Sequence, residues 1–70
     1  MRYMVVIEQG ETGFGAYVPD LPGCIAAGET EQEVLELITE AVEFHLEGLK
    51  DDGFSIQSPH SYSRVVEIRA

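Results

Sequence analysis

"YVPDLPGCIAAGET", residues 17–30, sets two prolines and a glycine between stretches of strand-forming residues. Pro19 and Pro22 fix their own φ angles and bias Val18 and Leu21 toward extended backbone, while Gly23 admits a positive φ, so the chain must turn here. Into the turn runs "FGAYV", 14–18, a strand with Phe14, Ala16 and Val18 on one face and Tyr17 on the other. Out of it comes "CIAAG", 24–28, a short third strand whose alanines are weak β-formers.

Upstream, "RYMVVIE", 2–8, is rich in β-branched and aromatic residues and reads as a strand apolar on both faces. "QGETG", 9–13, joins it to the second strand as a hairpin connection. Downstream, Thr30 followed by Glu33 is a capping box, and Gly53 is a stop, which predicts a helix over 31–51. Val34, Leu35, Ile38, Ala41, Val42, His45, Leu46 and Leu49 fall within an arc of about 140° and form its core face. "SIQSPHS", 55–61, reads as a loop and "YSRVVEIR", 62–69, as a final strand. The order β-β-β-α-β gives an α+β domain, an antiparallel sheet with one long helix packed on one face. Met4, Val6, Tyr17 and Val65 leave apolar material on the other face, for which a subunit interface is the simplest cover.

Seventy residues hold one domain, 1–70, and a core too small to be generously stable. A lone Cys24 excludes an internal disulfide, and His45 and His60 have no paired thiol at a metal-ligand spacing, so self-association to a dimer or tetramer is the expected support. The opening residues are too short an apolar run for a signal peptide or a membrane span, which predicts a cytoplasmic protein. Thirteen acids against four bases, a net charge of −9, argue against direct nucleic-acid binding and favour a basic partner.

The charge is patterned. Glu29, Glu33, Glu36, Glu40, Glu43 and Glu47 recur at helical spacings of three and four, with no Lys or Arg before Lys50. Each such pair costs an isolated helix about 0.2–0.5 kcal/mol. Such a face is either a solubility device or one that awaits a cationic surface. Leu37 and Phe44, a heptad apart, border the stripe and resemble an interface edge. The candidate partner-binding set is therefore Glu33, Glu36, Leu37, Glu40, Glu43, Phe44 and Glu47.

Catalytic groups do not converge in the sequence. His45 lies in the apolar arc, His60 sits in a loop beside Pro59, and Cys24 lacks an adjacent base. The serines at 55, 58, 61 and 63 have no Gly-x-Ser-x-Gly elbow, and "GETGFG" lacks the lysine and spacing of a phosphate loop. Glu8 and Asp20 are the strand-end acids that a divalent-metal nuclease would use. No catalytic residue, cofactor or metal is expected, and an enzyme is not.

"GFGAYVPDLPGCIAAGETEQEV" resembles the signature of the HicB-like antitoxin family: an aromatic second strand, Pro-Asp-Leu-Pro-Gly-Cys, then Gly-Glu-Thr leading into an acidic helix start. The resemblance runs from Tyr3 to about Pro59 and includes "EFHLEGLKDDGFSI" at the helix end. It implies a partial ribonuclease-H-like fold and a protein that binds and neutralises a small basic HicA-type toxin that cleaves mRNA. Many family members continue into a DNA-binding segment; here Ala70 follows the last strand without a basic helix, the pattern of a short form that does not bind operator DNA itself. The other readings are a stand-alone oligomeric regulatory or ligand-binding domain and a divalent-metal ribonuclease-H-like nuclease.

Overall fold

The computed structural model describes residues 1–69 and contains β1 (Val6–Gln9), β2 (Phe14–Tyr17), β3 (Ile25–Gly28) and α1 (Glu31–Asp51). The strands form one antiparallel sheet in chain order, with Val6 opposite Tyr17, Gln9 opposite Phe14, and Tyr17 opposite Ile25. Alternation along β2 is as its sequence predicts: Ala16 and, just past the strand, Val18 are buried under the helix, while Tyr17 faces outward, 40% exposed. Helix α1 packs on β3 and β2, and Val34 and Ile38 are fully enclosed against Ala16, Val18, Leu21 and Cys24. Tyr3, Val5, Ile7 and Phe14 flank this core from the sheet, and Ala41, Val42 and Leu46 from the helix.

The proline-glycine kink is a tight, mostly buried turn. Leu21 N–H donates to Val18 O at 3.1 Å, Cys24 N–H to Leu21 O at 3.1 Å, and Val18 N–H to Cys24 O at 3.2 Å, so the loop closes on itself. Gly23 takes φ +91°, where a Cβ would be strained. Pro19 and Pro22 stay on the surface while Leu21 and Cys24 turn inward, so the rigid residues hold the loop's outline and the apolar ones seal one end of the core.

Both helix ends are capped by local chemistry. At the start, Glu33 N–H donates to Thr30 Oγ1 at 3.0 Å. The reciprocal half of the capping box shifts by one residue: the Glu33 carboxylate accepts from the N–H of Glu29, not of Thr30. At the end, Gly53 at φ +78° donates to Lys50 O, and Phe54 N–H to Leu49 O, which is the Schellman pair of hydrogen bonds.

The structure departs from the sequence expectation in three places. Leu35, placed on the core arc, is 40% exposed, because a sheet of three four-residue strands covers less than the arc's full width. β1 begins at Val6 and not at Arg2, since β2 ends at Tyr17 and the kink leaves residues 2–5 without a strand beside them. Residues 62–69, expected as a final strand, form no ladder: the segment has no turn or bend, and every residue in it is exposed. A strand exists only through its neighbour's hydrogen bonds, and this segment has no ladder among the described residues.

Replacing the enclosed Ile38 by Ala is expected to lower stability by about 2–5 kcal/mol, whereas Phe44→Ala, at an exposed position, should change it by less than about 0.5 kcal/mol. Urea unfolding followed by helical circular dichroism measures both.

Candidate partner-binding surface

Because α1 is continuous from Glu31 to Asp51, the sequence spacing becomes a real surface. Glu33, Glu36, Leu37, Glu40, Glu43, Phe44 and Glu47 are all exposed and lie on the helix face turned away from the sheet. The structure thus brings together every residue of the candidate set. Glu33 is the one with a second duty, since its carboxylate also holds the Glu29 N–H. Among the described residues, none of these acids has a cation at ion-pair distance. Phe44 is 80% exposed and Leu37 37%, so the apolar border is uneven: Phe44 projects and Leu37 lies lower. Below Phe44, a hollow of about 460 Å3 runs between the helix and the kink, floored by Cys24, Ala41 and His45. Negative charge and one protruding ring beside a shallow hollow form a surface suited to being covered.

The strand-end acids do not form a metal pair. Glu8 is exposed opposite Gly15, whereas Asp20 lies three residues past Tyr17, whose partner is Val6, so the two stand toward opposite ends of the β1–β2 hairpin. Among the described residues no group of three or more His, Cys, Asp or Glu is gathered for a metal ion. Cys24 is buried, which pushes its thiol above the ordinary range, and its Sγ lies 3.9 Å from Ala41 O. That environment makes it a packing residue with little thiolate character.

Asp20 has a role that sequence reasoning did not find. It is only 3% exposed, and its carboxylate accepts from His60 N–H and Ser61 N–H, each at 2.9 Å, and from the Ser61 hydroxyl. The two N–H groups share Oδ2, while His60 Nε2 lies 3.2 Å from Oδ1, the oxygen that takes the Ser61 hydroxyl, with its ring mostly in solvent. The residues resemble a hydrolytic triad in type only, since the serine bonds the aspartate directly and the histidine does not bond the serine. Forty residues separate the partners, so the cluster is a clasp that ties the segment after the helix to the kink. The Tyr3 hydroxyl strengthens it by donating to Gln57 O at 2.6 Å. The signal available in the sequence was an acid inside an otherwise apolar turn, but nothing local identified its donors.

Fold and surface together define a small α+β domain whose charged feature is presented outward. The HicB-like antitoxin model of bacterial toxin–antitoxin systems matches residues 3–69, and the chain belongs to this family. An uncharacterized 14.9 kDa protein of Haemophilus phage HP1 is 42% identical over 52 residues, which cover 74% of this chain and 39% of the phage protein. Antitoxin HicB 2 of Photorhabdus laumondii is 32% identical over 71 residues, covering the whole of this chain and 51% of that protein. The chain therefore spans about two-fifths to one-half of the length of these relatives. Among solved structures, a chain of the HicA3 and HicB3 toxin–antitoxin complex superposes with a TM-score of 0.66 at 34% identity, over 84% of this chain and 72% of that one.

Hydrogen bonds from Ser61 and His60 hold the Asp20 carboxyl well below its usual value, at about 2. A depressed acid contributes its stabilisation fully above its unfolded pKa near 3.8 and loses it as pH falls toward 2. Carbon-13 titration of the Asp20 carboxyl is expected to give a midpoint near 2, and Ser61→Ala should move that midpoint upward.

Proposed function

We propose that this chain is a non-catalytic antitoxin that binds and neutralises a small basic HicA-type toxin, an mRNA-cleaving protein, by covering it with the exposed face of α1. Family membership and the likeness to a chain from a toxin–antitoxin complex support the class of function. The single observation that carries the surface is the unpaired acidic face itself. An RNA-cleaving toxin must present cations to its phosphate-bearing substrate, and a surface built for RNA attracts any dense anionic stripe of matching spacing. Glu36, Glu40, Glu43 and Glu47 supply that stripe, and Phe44 supplies a ring that a partner can bury. The locally unfavourable repulsion among the glutamates is relieved when cations arrive, so part of the binding energy is stored in the free helix. Acting on such a toxin places the protein in the cytoplasm with it.

The test is titration of the protein with a purified HicA-type toxin at two ionic strengths. Binding is expected to weaken at least tenfold between 50 and 500 mM salt, because exposed charges are screened beyond about one Debye length. The triple substitution Glu36→Gln, Glu40→Gln, Glu43→Gln should weaken low-salt binding by roughly 3- to 30-fold, and Phe44→Ala by a similar factor, with helicity unchanged. Affinity indifferent to salt and to all four substitutions would move the contact off this face.

A further inference from the structure

We infer that residues Tyr62–Arg69 form an exchanged strand: the arm of one chain adds to the outer edge of β1 in a second copy, and the second copy returns its own. The arm combines three properties that a free tail does not need. It is unpaired and fully exposed along its length, with Val65 100%, Val66 72% and Ile68 75% accessible. It is built from strand-forming residues, alternating Arg64, Val66 and Ile68 on one side with Val65, Glu67 and Arg69 on the other. Its root is fixed, because the Asp20 clasp holds His60 and Ser61 immediately before it. The molecule is consequently extended: its radius of gyration is 13.9 Å against about 11 Å for a compact domain of this length. Its longest dimension, 49 Å, exceeds the roughly 31 Å of the helix alone.

The receiving edge is equally specific. β1 is an outer strand, bonded only to β2, so its other side presents free N–H and C=O groups. Tyr3, Met4, Val5, Val6 and Ile7 are all half-buried, a continuous apolar run in which Tyr3, Val5 and Ile7 already pack against the core while the strand edge beside them stays open. Residues 2–5 fail to become strand only because β2 has already turned away, and an added strand supplies the missing partner. The arm and Tyr3–Gln9 match in length, about 23–26 Å each when extended. Once paired, the Val66 and Ile68 face of the arm lies beside Val5 and Ile7, continuing the core layer toward half-buried Val42 and Leu46.

Charge selects a second copy as the occupant. The arm carries Arg64 and Arg69 against Glu67, and thus two of the chain's four basic side chains, whereas the rest of the molecule is strongly acidic. A net-negative chain docking on another resists association, and a locally cationic arm reduces that resistance where contact is made. β3, the opposite edge, carries one large apolar side chain, the exposed Ile25, followed by Ala26, Ala27 and Gly28, and so gives an incoming strand less to pack against than Tyr3–Ile7. The exchange does not depend on toxin binding and needs only the chain itself.

Amide hydrogen exchange on the isolated full chain, from about 5 to 500 μM, tests this directly. The expected result is protection of Val65–Ile68 and of Tyr3–Val5 that rises together with concentration, with a dimer in light scattering at the upper end. The double substitution Val66→Asp, Ile68→Asp, in side chains that are exposed in the single chain, should abolish both while leaving helicity intact. Protection of the same amides in a particle that light scattering shows to be monomeric would mean that the arm closes on its own β1, and would overturn the exchange. Absence of protection at every concentration, or a dimer that survives the double substitution, would overturn it as well.

Discussion

Burial of the Asp20 carboxylate is the constraint on which the architecture turns. A carboxylate removed from water must find hydrogen-bond donors, and the kink that encloses it supplies none of the three it uses. All come from His60 and Ser61, beyond the helix. The turn, the length of α1 and the path of the chain after it are therefore coupled. The helix must be long enough, and end sharply enough at Gly53, to return residues 57–61 to the open end of the core. The Tyr3–Gln57 hydrogen bond draws the start of the chain to the same place, so one cluster gathers the amino-terminal strand, the kink and the carboxy-terminal segment. Few contacts accomplish much in a domain whose buried core, among the described residues, is six apolar side chains.

That small core explains why the molecule divides into a packed half and a presented half. Val34 and Ile38 suffice to hold the helix against β2 and β3, and little else of α1 is needed inward. The outward face is released to carry charge at a density that a helix relying on its own side-chain pairs would not support. Packing and charge thus occupy opposite sides of one element. Substitutions on the acidic face leave the packing beneath undisturbed, provided Glu33, which also serves the cap, is left in place.

Local chemistry made much of this legible in the sequence. Thr30 and Gly53 marked the ends of α1, the period-two pattern of Phe14, Ala16 and Val18 identified the core side of β2, and the prolines and Gly23 fixed the kink, because each acts within a few residues of itself. The candidate surface was legible for the same reason: once the helix is known, spacing alone puts Glu36, Glu40, Glu43 and Phe44 on one face. What the sequence concealed was long-range. Asp20 read as a strand-end acid because its donors lie forty residues away, Leu35 read as core because helical periodicity says nothing about how wide the sheet beneath is, and the start of β1 depended on where β2 ceased to run beside it.

Residues 62–69 are the instructive case, since their composition reads as a strand and the structure leaves them unpaired. Their alternation and β-branched residues encode a strand, and strand propensity is a statement about fitting a half-buried pleated surface next to a neighbour. The isolated chain offers that neighbour as the bare edge of β1 yet leaves the arm standing away from it, with its apolar residues in water. Two features of similar length, one rooted by the Asp20 clasp and the other left open where the kink draws β2 aside, become complementary parts of one ladder under the exchange we propose. The same kink that completes the core also draws β2 away from residues 2–5, so the fold's principal rigid element sets both the packing of the core and the length of β1 edge left open.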